Sequence, residues 1–212
     1  MTRGRLAIVG ASSLGQQIAG HSAVSGGFEI VGFFDDFAPL AECIIGRTTE
    51  MNSMFAKGAF DCLAIGVGYK AMDFRHSILE RVVGRVPLAD IRHPSVFADP
   101  TADIGEGCVM LANVVVDQRV RVGRNVFMSI AASVSHDSTI GDSAYLSPKS
   151  TVCGNCRIGE RVFLGAGCVV RDGISISDGV VIGAGTVVVK DIVQSGVYAG
   201  NPARRIESKP CM

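Results

Sequence analysis

Ile104-Gly-Glu-Gly-Cys-Val-Met-Leu-Ala-Asn-Val-Val-Val-Asp-Gln-Arg-Val-Arg-Val122 carries the pattern that decides the fold. An aliphatic residue opens it and returns at every sixth position. The series runs through Met110, Val116 and Val122 to Ile176, Ile182 and Val188 without a gap. Four places after each stands another uncharged residue, from Cys108 and Val114 to Thr186 and Ile192. A period of six is neither the 3.6 of a helix nor the 2 of a strand, so it marks a repeat architecture. Gly105, Gly123, Gly141 and Gly159 stand eighteen apart, as do Gly165 and Gly183. Three hexads therefore make one coil with three flat sides. Short parallel strands stack coil on coil, with the aliphatic residue pointing into a narrow core. Glycine suits corners that need positive φ or close backbone approach.

Upstream, the chain changes character. Leu6-Ala-Ile-Val-Gly10 reads as a buried strand, Gly10-Ala-Ser-Ser-Leu-Gly15 as a tight turn, and the following residues as a helix to about Val24. Phe28–Phe34 forms a second strand ending in Asp35-Asp36, so the segment is a βαβ unit. A glycine turn at a helix start can stabilise phosphate on its N–H groups, and acids ending the second strand can read a ribose hydroxyl or a base. Gly10 and Gly15 serve a plain tight turn equally well. A third strand, Phe60–Ile65, and a helix, Met72–Val83, follow. Three or four strands make half a dinucleotide fold, a size suited to a nucleotide-monophosphate-like or nucleotide-sugar ligand rather than NAD. His93-Pro-Ser-Val96 marks the boundary, which divides the chain into residues 1–92 and 93–212. Beyond Val188, Gly196-Val-Tyr-Ala-Gly-Asn-Pro-Ala-Arg204 ends the regular coils, and a short polar tail is expected at the surface.

Composition limits the function. Lys+Arg and Asp+Glu balance at 20 each, which argues against a nucleic-acid partner. No apolar run reaches the length of a membrane span. Arg3 and Arg5 precede an apolar run too short for a signal peptide, so the expected location is cytoplasmic. Seven cysteines, an odd number, do not make a disulfide framework. Cys153-Gly-Asn-Cys156 has the CxxC spacing, but Cys156 holds an inward hexad position and no second ligand pair follows. Core packing is the expectation there, with no metal.

His136 and Asp137, in Ser135-His-Asp-Ser138, fall at an outward coil corner. Such a pair reads as a proton-transfer site or as a solvated surface histidine. One coil on, Gly154 occupies the histidine's column, followed by Asp172 and Lys190. A glycine there leaves room for a thin extended ligand such as pantetheine.

Together, the hexads, Ser-His-Asp, Cys-Gly-Asn at 153–155, Ile-Gly-Glu-Arg-Val-Phe-Leu-Gly-Ala-Gly at 158–167 and the run at 196–204 resemble the hexapeptide-repeat acyltransferases. Val-Gly-Ala-Ser at 9–12 and Phe-Phe-Asp-Asp at 33–36 narrow the likeness to the bacterial nucleotide-sugar N-acetyltransferases acting on 4-amino-4,6-dideoxy sugars, with sialic acid O-acetyltransferases as relatives. The resemblance implies an α/β N-terminal domain, half-Rossmann-like, followed by a left-handed parallel β-helix. It implies a homotrimer, with acetyl-CoA and a nucleotide sugar as substrates. It carries the catalytic role to His136 and Asp137, the acetyl-CoA contacts to Gly154, Ala166 and Ala184, and nucleotide-sugar binding to Gly10, Ala11, Ser12, Gly15, Asp35 and Asp36. The left hand runs against the usual crossover rule and comes from the resemblance alone. Members acting on the bacillosamine precursor carry Gly-His where this chain has Ser13-Leu14, a departure that bears on the sugar and the nucleotide. The same parts could O-acetylate a sugar hydroxyl. A β-helical metalloenzyme would need three metal histidines on the coils, whereas His21, His76 and His93 precede them. An assembly scaffold would leave His136 without a role.

Overall fold

The computed structural model describes residues 4–25, 27–40 and 43–206. Arg3 and the tail after Ile206 lie outside the described residues. The chain divides into two compact units, Met1–Pro94 with Glu106–Val109, and Ser95–Gly105 with Met110–Met212.

The first unit holds a four-stranded parallel sheet. Its elements are β1 (Arg5–Val9), α1 (Ser13–Val24), β2 (Glu29–Phe34), β3 (Ile44–Gly46), α2 (Met51–Ala56), β4 (Cys62–Ile65) and α3 (Met72–Val82). The strand order is β3-β2-β1-β4. Leu6, Ala7, Ile8 and Val9 of β1 and all of β4 are buried, as expected of strands covered on both faces. Phe34, Phe60, Leu63, Ile65, Ile78 and Leu79 share one core, where the Phe34 and Phe60 rings meet edge to face at 5.6 Å. Both β3 and α2 fall in a stretch where the sequence marks no element. Arg75 of α3 is fully buried and donates to the Ile65 and Val67 carbonyls at the end of β4, 2.6 and 3.1 Å away.

The second unit is a parallel β-helix of two-residue strands. Each strand pairs with the one eighteen residues on, as in Arg121↔Thr139↔Arg157 and Ser133↔Thr151↔Val169. The inward hexad residues from Met110 to Val188 are at most 4% exposed. The hydroxyls among the second inward series find partners. Ser138 Oγ, for example, donates to the Cys153 carbonyl and accepts from Cys156 N–H, each at 3.0 Å. Outward residues give each face its own chemistry. One face carries Asp103, Arg121, Thr139 and Arg157; a second carries Phe97, Val115, Ser133, Thr151, Val169 and Val187; a third carries the Phe127, Tyr145 and Phe163 rings. We refer to these as the arginine, valine and aromatic faces. The coils end with Val197–Ala199, parallel to Val181–Ile182 and capped by antiparallel Arg204–Ile206.

Positive φ does not fall on the glycines spaced by eighteen. It falls two places later, on every sixth residue from Gly107 to Gly185, and includes non-glycine residues such as Asn125, Asp137 and Asn155. The spaced glycines serve close approach instead. A Cβ on Gly105 would stand 2.8 Å from the Gly123 carbonyl carbon, and one on Gly165 would stand 2.6 Å from Ala184 N. Phe127 and Met128 are buried within the coil and offer no apolar surface to a second copy.

Candidate active site

His136 and Asp137 follow the valine-face strand Ser133–Val134 and precede the arginine-face strand Thr139–Ile140. Stacking fixes this corner, because Asp137 N–H donates to the Gln118 carbonyl at 3.1 Å and Asn155 N–H to the His136 carbonyl at 3.0 Å. Asp137 adopts φ 58°, a left-handed conformation that Asp tolerates better than most residues. This backbone turns its carboxylate onto His136, with Oδ2 2.9 Å from Nδ1. A carboxylate at Nδ1 holds the proton there in the neutral ring and leaves Nε2 as the free acceptor. Arg119, one coil earlier, closes on the same carboxylate with a two-point fork, Nε to Oδ1 at 2.7 Å and Nη2 to Oδ2 at 2.9 Å. The Arg119 contact first, and His136 second, hold the Asp137 carboxyl well below the usual carboxylate range.

The imidazole lies over Gly154. A Cβ there would stand 2.7 Å from the ring's Cε1 and 2.8 Å from Nε2. Gly154 therefore makes room for the histidine itself, and the free space expected for a ligand at this point is taken by the ring. Beside Asp137 runs a groove of about 710 Å³, lined by Thr101, Asp103, Arg119, Arg121, Thr139, Asn155 and Arg157. Ala166 and Ala184 are exposed and stack at another corner, between the aromatic and valine faces. A single chain thus gathers His136, Asp137 and Gly154, but not Ala166 and Ala184. Cys156 is buried in the coil, as is Cys168, whose thiol burial pushes up to about 12. Among the described residues, no three His, Cys, Asp or Glu side chains come together as a metal site.

The glycine turn of the first unit sits at the carboxyl end of β1. Gly10 has φ 92°, and a Cβ on Gly15 would stand 1.8 Å from the Gly10 carbonyl oxygen. These glycines let α1 close onto the turn. Two of the N–H groups expected to face a pyrophosphate are already used: Gly10 donates to the Phe34 carbonyl at 2.7 Å and Ala11 to Asp35 Oδ2 at 2.9 Å. Asp35 Oδ1 also accepts from Phe37 and Ala38 N–H, and Asp36 accepts from the Thr48 N–H and hydroxyl. Burial raises the Asp35 carboxyl pKa, but the Ala11, Ala38 and Phe37 donors and the Arg47 charge lower it on balance. Ser12 and Ser13 remain exposed, and the Ser12 side chain makes no capping bond. No helix is long and apolar enough to cross a membrane among the described residues.

Arg119 was not evident as part of the site in the sequence. Its signal is a pair of opposite charges eighteen apart, repeated at Arg124 and Asp142, where Nη2 and Oδ2 meet at 2.6 Å.

A β-helix of hexads with a carboxylate-oriented histidine at one corner is the arrangement of the left-handed hexapeptide-repeat acyltransferases, and comparison with known proteins places the chain in that class. The family model described as the GMPPB C-terminal domain matches residues 92–202. No curated protein matches the chain. The acetyltransferase domain of PglB from Neisseria gonorrhoeae FA1090 is similar at 32% identity and a TM-score of 0.86, over 95% of this chain and 99% of that one. Its complex with acetyl coenzyme A gives 33% and 0.85, over 97% and 100%. PerB from Caulobacter crescentus, in complex with CoA and GDP-perosamine, is 26% identical with a TM-score of 0.87, over 97% and 99%. The chain belongs to the GMPPB C-terminal domain family over its coils and, along nearly its whole length, to the family of the PglB acetyltransferase domain.

Proposed function

We propose that the chain transfers the acetyl group of acetyl-CoA to the amino group of a nucleotide-linked 4-amino-4,6-dideoxy sugar. The observation that carries this reading is the His136–Asp137 pair with Nε2 free, in a chain about one-third identical to a domain whose structure holds acetyl coenzyme A. The N-acetyl product is favoured over an O-acetyl one by the likeness to PerB, whose structure holds CoA together with an amino-sugar nucleotide. His136 Nε2 accepts a proton from the sugar amine as the nitrogen attacks the thioester carbonyl. The C–N bond forms, the C–S bond breaks, and the proton passes to the departing CoA thiolate. Asp137 keeps the ring oriented and stabilises the imidazolium while it exists.

In this reading the coils bind acetyl-CoA and the first unit binds the nucleotide. The exposed Ser12 and Ser13 and the first-turn N–H groups of α1 remain available to an anion there. The protein works in the cytoplasm as a homotrimer. The separation of His136 and Gly154 from Ala166 and Ala184 supports the trimer: a pantetheine arm touching both sets takes them most directly from two copies.

A panel of UDP-, dTDP- and GDP-linked 4-amino-4,6-dideoxy sugars, each incubated with acetyl-CoA and followed by mass spectrometry and NMR, tests the reaction. Acetylation at nitrogen with one of them is the expected result; acetyl transfer to none, or to oxygen, refutes it. His136→Ala should lower kcat by on the order of 10²–10⁴-fold with an unchanged melting curve.

A further inference from the structure

We propose that Arg119 is a positioning residue for this reaction, its guanidinium fork fixing the plane of the Asp137 carboxylate that orients His136. The inference rests on the reading of His136 as the base. Four observations support it. First, the contact is a two-point fork, the geometry in which arginine dictates the plane of a carboxylate. Second, the fork leaves Oδ2 where it also meets His136 Nδ1, so the three groups form one chain from guanidinium through carboxylate to imidazole. Third, Arg119 is itself held. Its N–H donates to Thr101 Oγ1 at 2.9 Å and its Nη1 to Gln118 Oε1 at 3.0 Å. Fourth, the pair is solvent-accessible, with side chains 55% and 35% exposed. An exposed ion pair adds little to stability, so orientation is the larger consequence of this one.

The charged groups around the dyad single out Arg119 as the one that holds the carboxylate. Asp137 bonds the His136 ring directly, and Asp172 approaches the point over Gly154 that the ring covers. Asp99 and Asp117 face Arg119, and Asp103, Arg121 and Arg157 line the groove with it. Only Arg119 among these cations is bonded to Asp137. Removing Arg119 leaves the carboxylate with His136 as its side-chain partner and free to turn out of the plane in which it meets Nδ1.

The test compares Arg119→Gln, Arg119→Lys and His136→Ala with wild type in kcat, both KM values and melting temperature. Arg119→Gln should lower kcat roughly three- to tenfold while both KM values stay within about twofold and the melting temperature stays near wild type. Arg119→Lys, which keeps the charge and loses the fork, should recover only part of kcat. An Arg119→Gln enzyme with wild-type kcat, or one whose kcat falls only together with its melting temperature, overturns the inference. Should Arg119→Gln fail to fold, a Lys variant with wild-type kcat overturns it alone. His136→Ala separates the two levels: an active His136→Ala enzyme refutes the base itself, whereas an inactive one beside an unaltered Arg119→Gln refutes only the role of Arg119.

Discussion

Gly154 shows what one missing side chain does. The His136 ring occupies the volume that a Cβ at 154 would need, at 2.7 Å from Cε1. The ring is 41% exposed, so it can swing outward when crowded, and the coil need not deform. Gly154→Ala should therefore leave the melting temperature near wild type while kcat falls by on the order of ten- to a hundredfold, because the proton acceptor is displaced by about an ångström. A steady-state assay beside a circular-dichroism melt checks both halves; full activity would mean that the ring does not rest over residue 154 when it works. The residues of this corner differ in how legible they are. His136 and Asp137 stand out because they are adjacent and outward in a repeat of known phase. Arg119 does not, because its partnership exists only through the stacking of one coil on the next.

The end of β2 supplies an element-scale case. Asp35 is placed where a nucleotide hydroxyl would be read, yet its carboxylate binds three N–H groups of its own unit, those of Ala11, Phe37 and Ala38. It ties the glycine turn to the loop after β2. Asp35→Ala should destabilise the unit by about 1–2 kcal/mol at pH 7, since water replaces part of what is lost. The folded carboxyl pKa is depressed, so the contribution is present above the unfolded value and is lost as pH falls through the folded one. Urea titrations of wild type and variant should differ at pH 7 and converge below the ordinary carboxylate range; a gap that persists in acid would mean that the ionised carboxylate is not the source. Sequence patterning exposes β1, α1, β2, β4 and α3 because each carries a long apolar run or a clear helical stretch. It does not expose β3 or α2, three and six residues long, which tertiary packing stabilises more than local preference.

At the scale of the molecule, the three faces differ more than the hexads foretell. The inward series is legible because burial forces it to be apolar, whereas the outward series is free and takes its composition from what each face meets. On the valine face Phe97 is 56% and Val115 40% exposed, and Ile130 is 46% exposed at the corner beside it. That apolar strip supports a contact between copies. Light scattering at micromolar concentration should give three times the chain mass, and Phe97→Asp with Val115→Asp should shift it toward one. A wild-type protein that scatters as a single chain would refute the trimer.

The unbroken spacing also gives the folded coils something like a reading frame. One extra residue before Val134 would turn every later aliphatic side chain outward, as a frameshift garbles all that follows it. Six extra residues would preserve which side chains face in and hand each face's chemistry to its neighbour, parting Arg119 from Asp137. Eighteen would restore every column and lengthen the prism by one coil, so this architecture can be edited without penalty to its ladders only in whole turns.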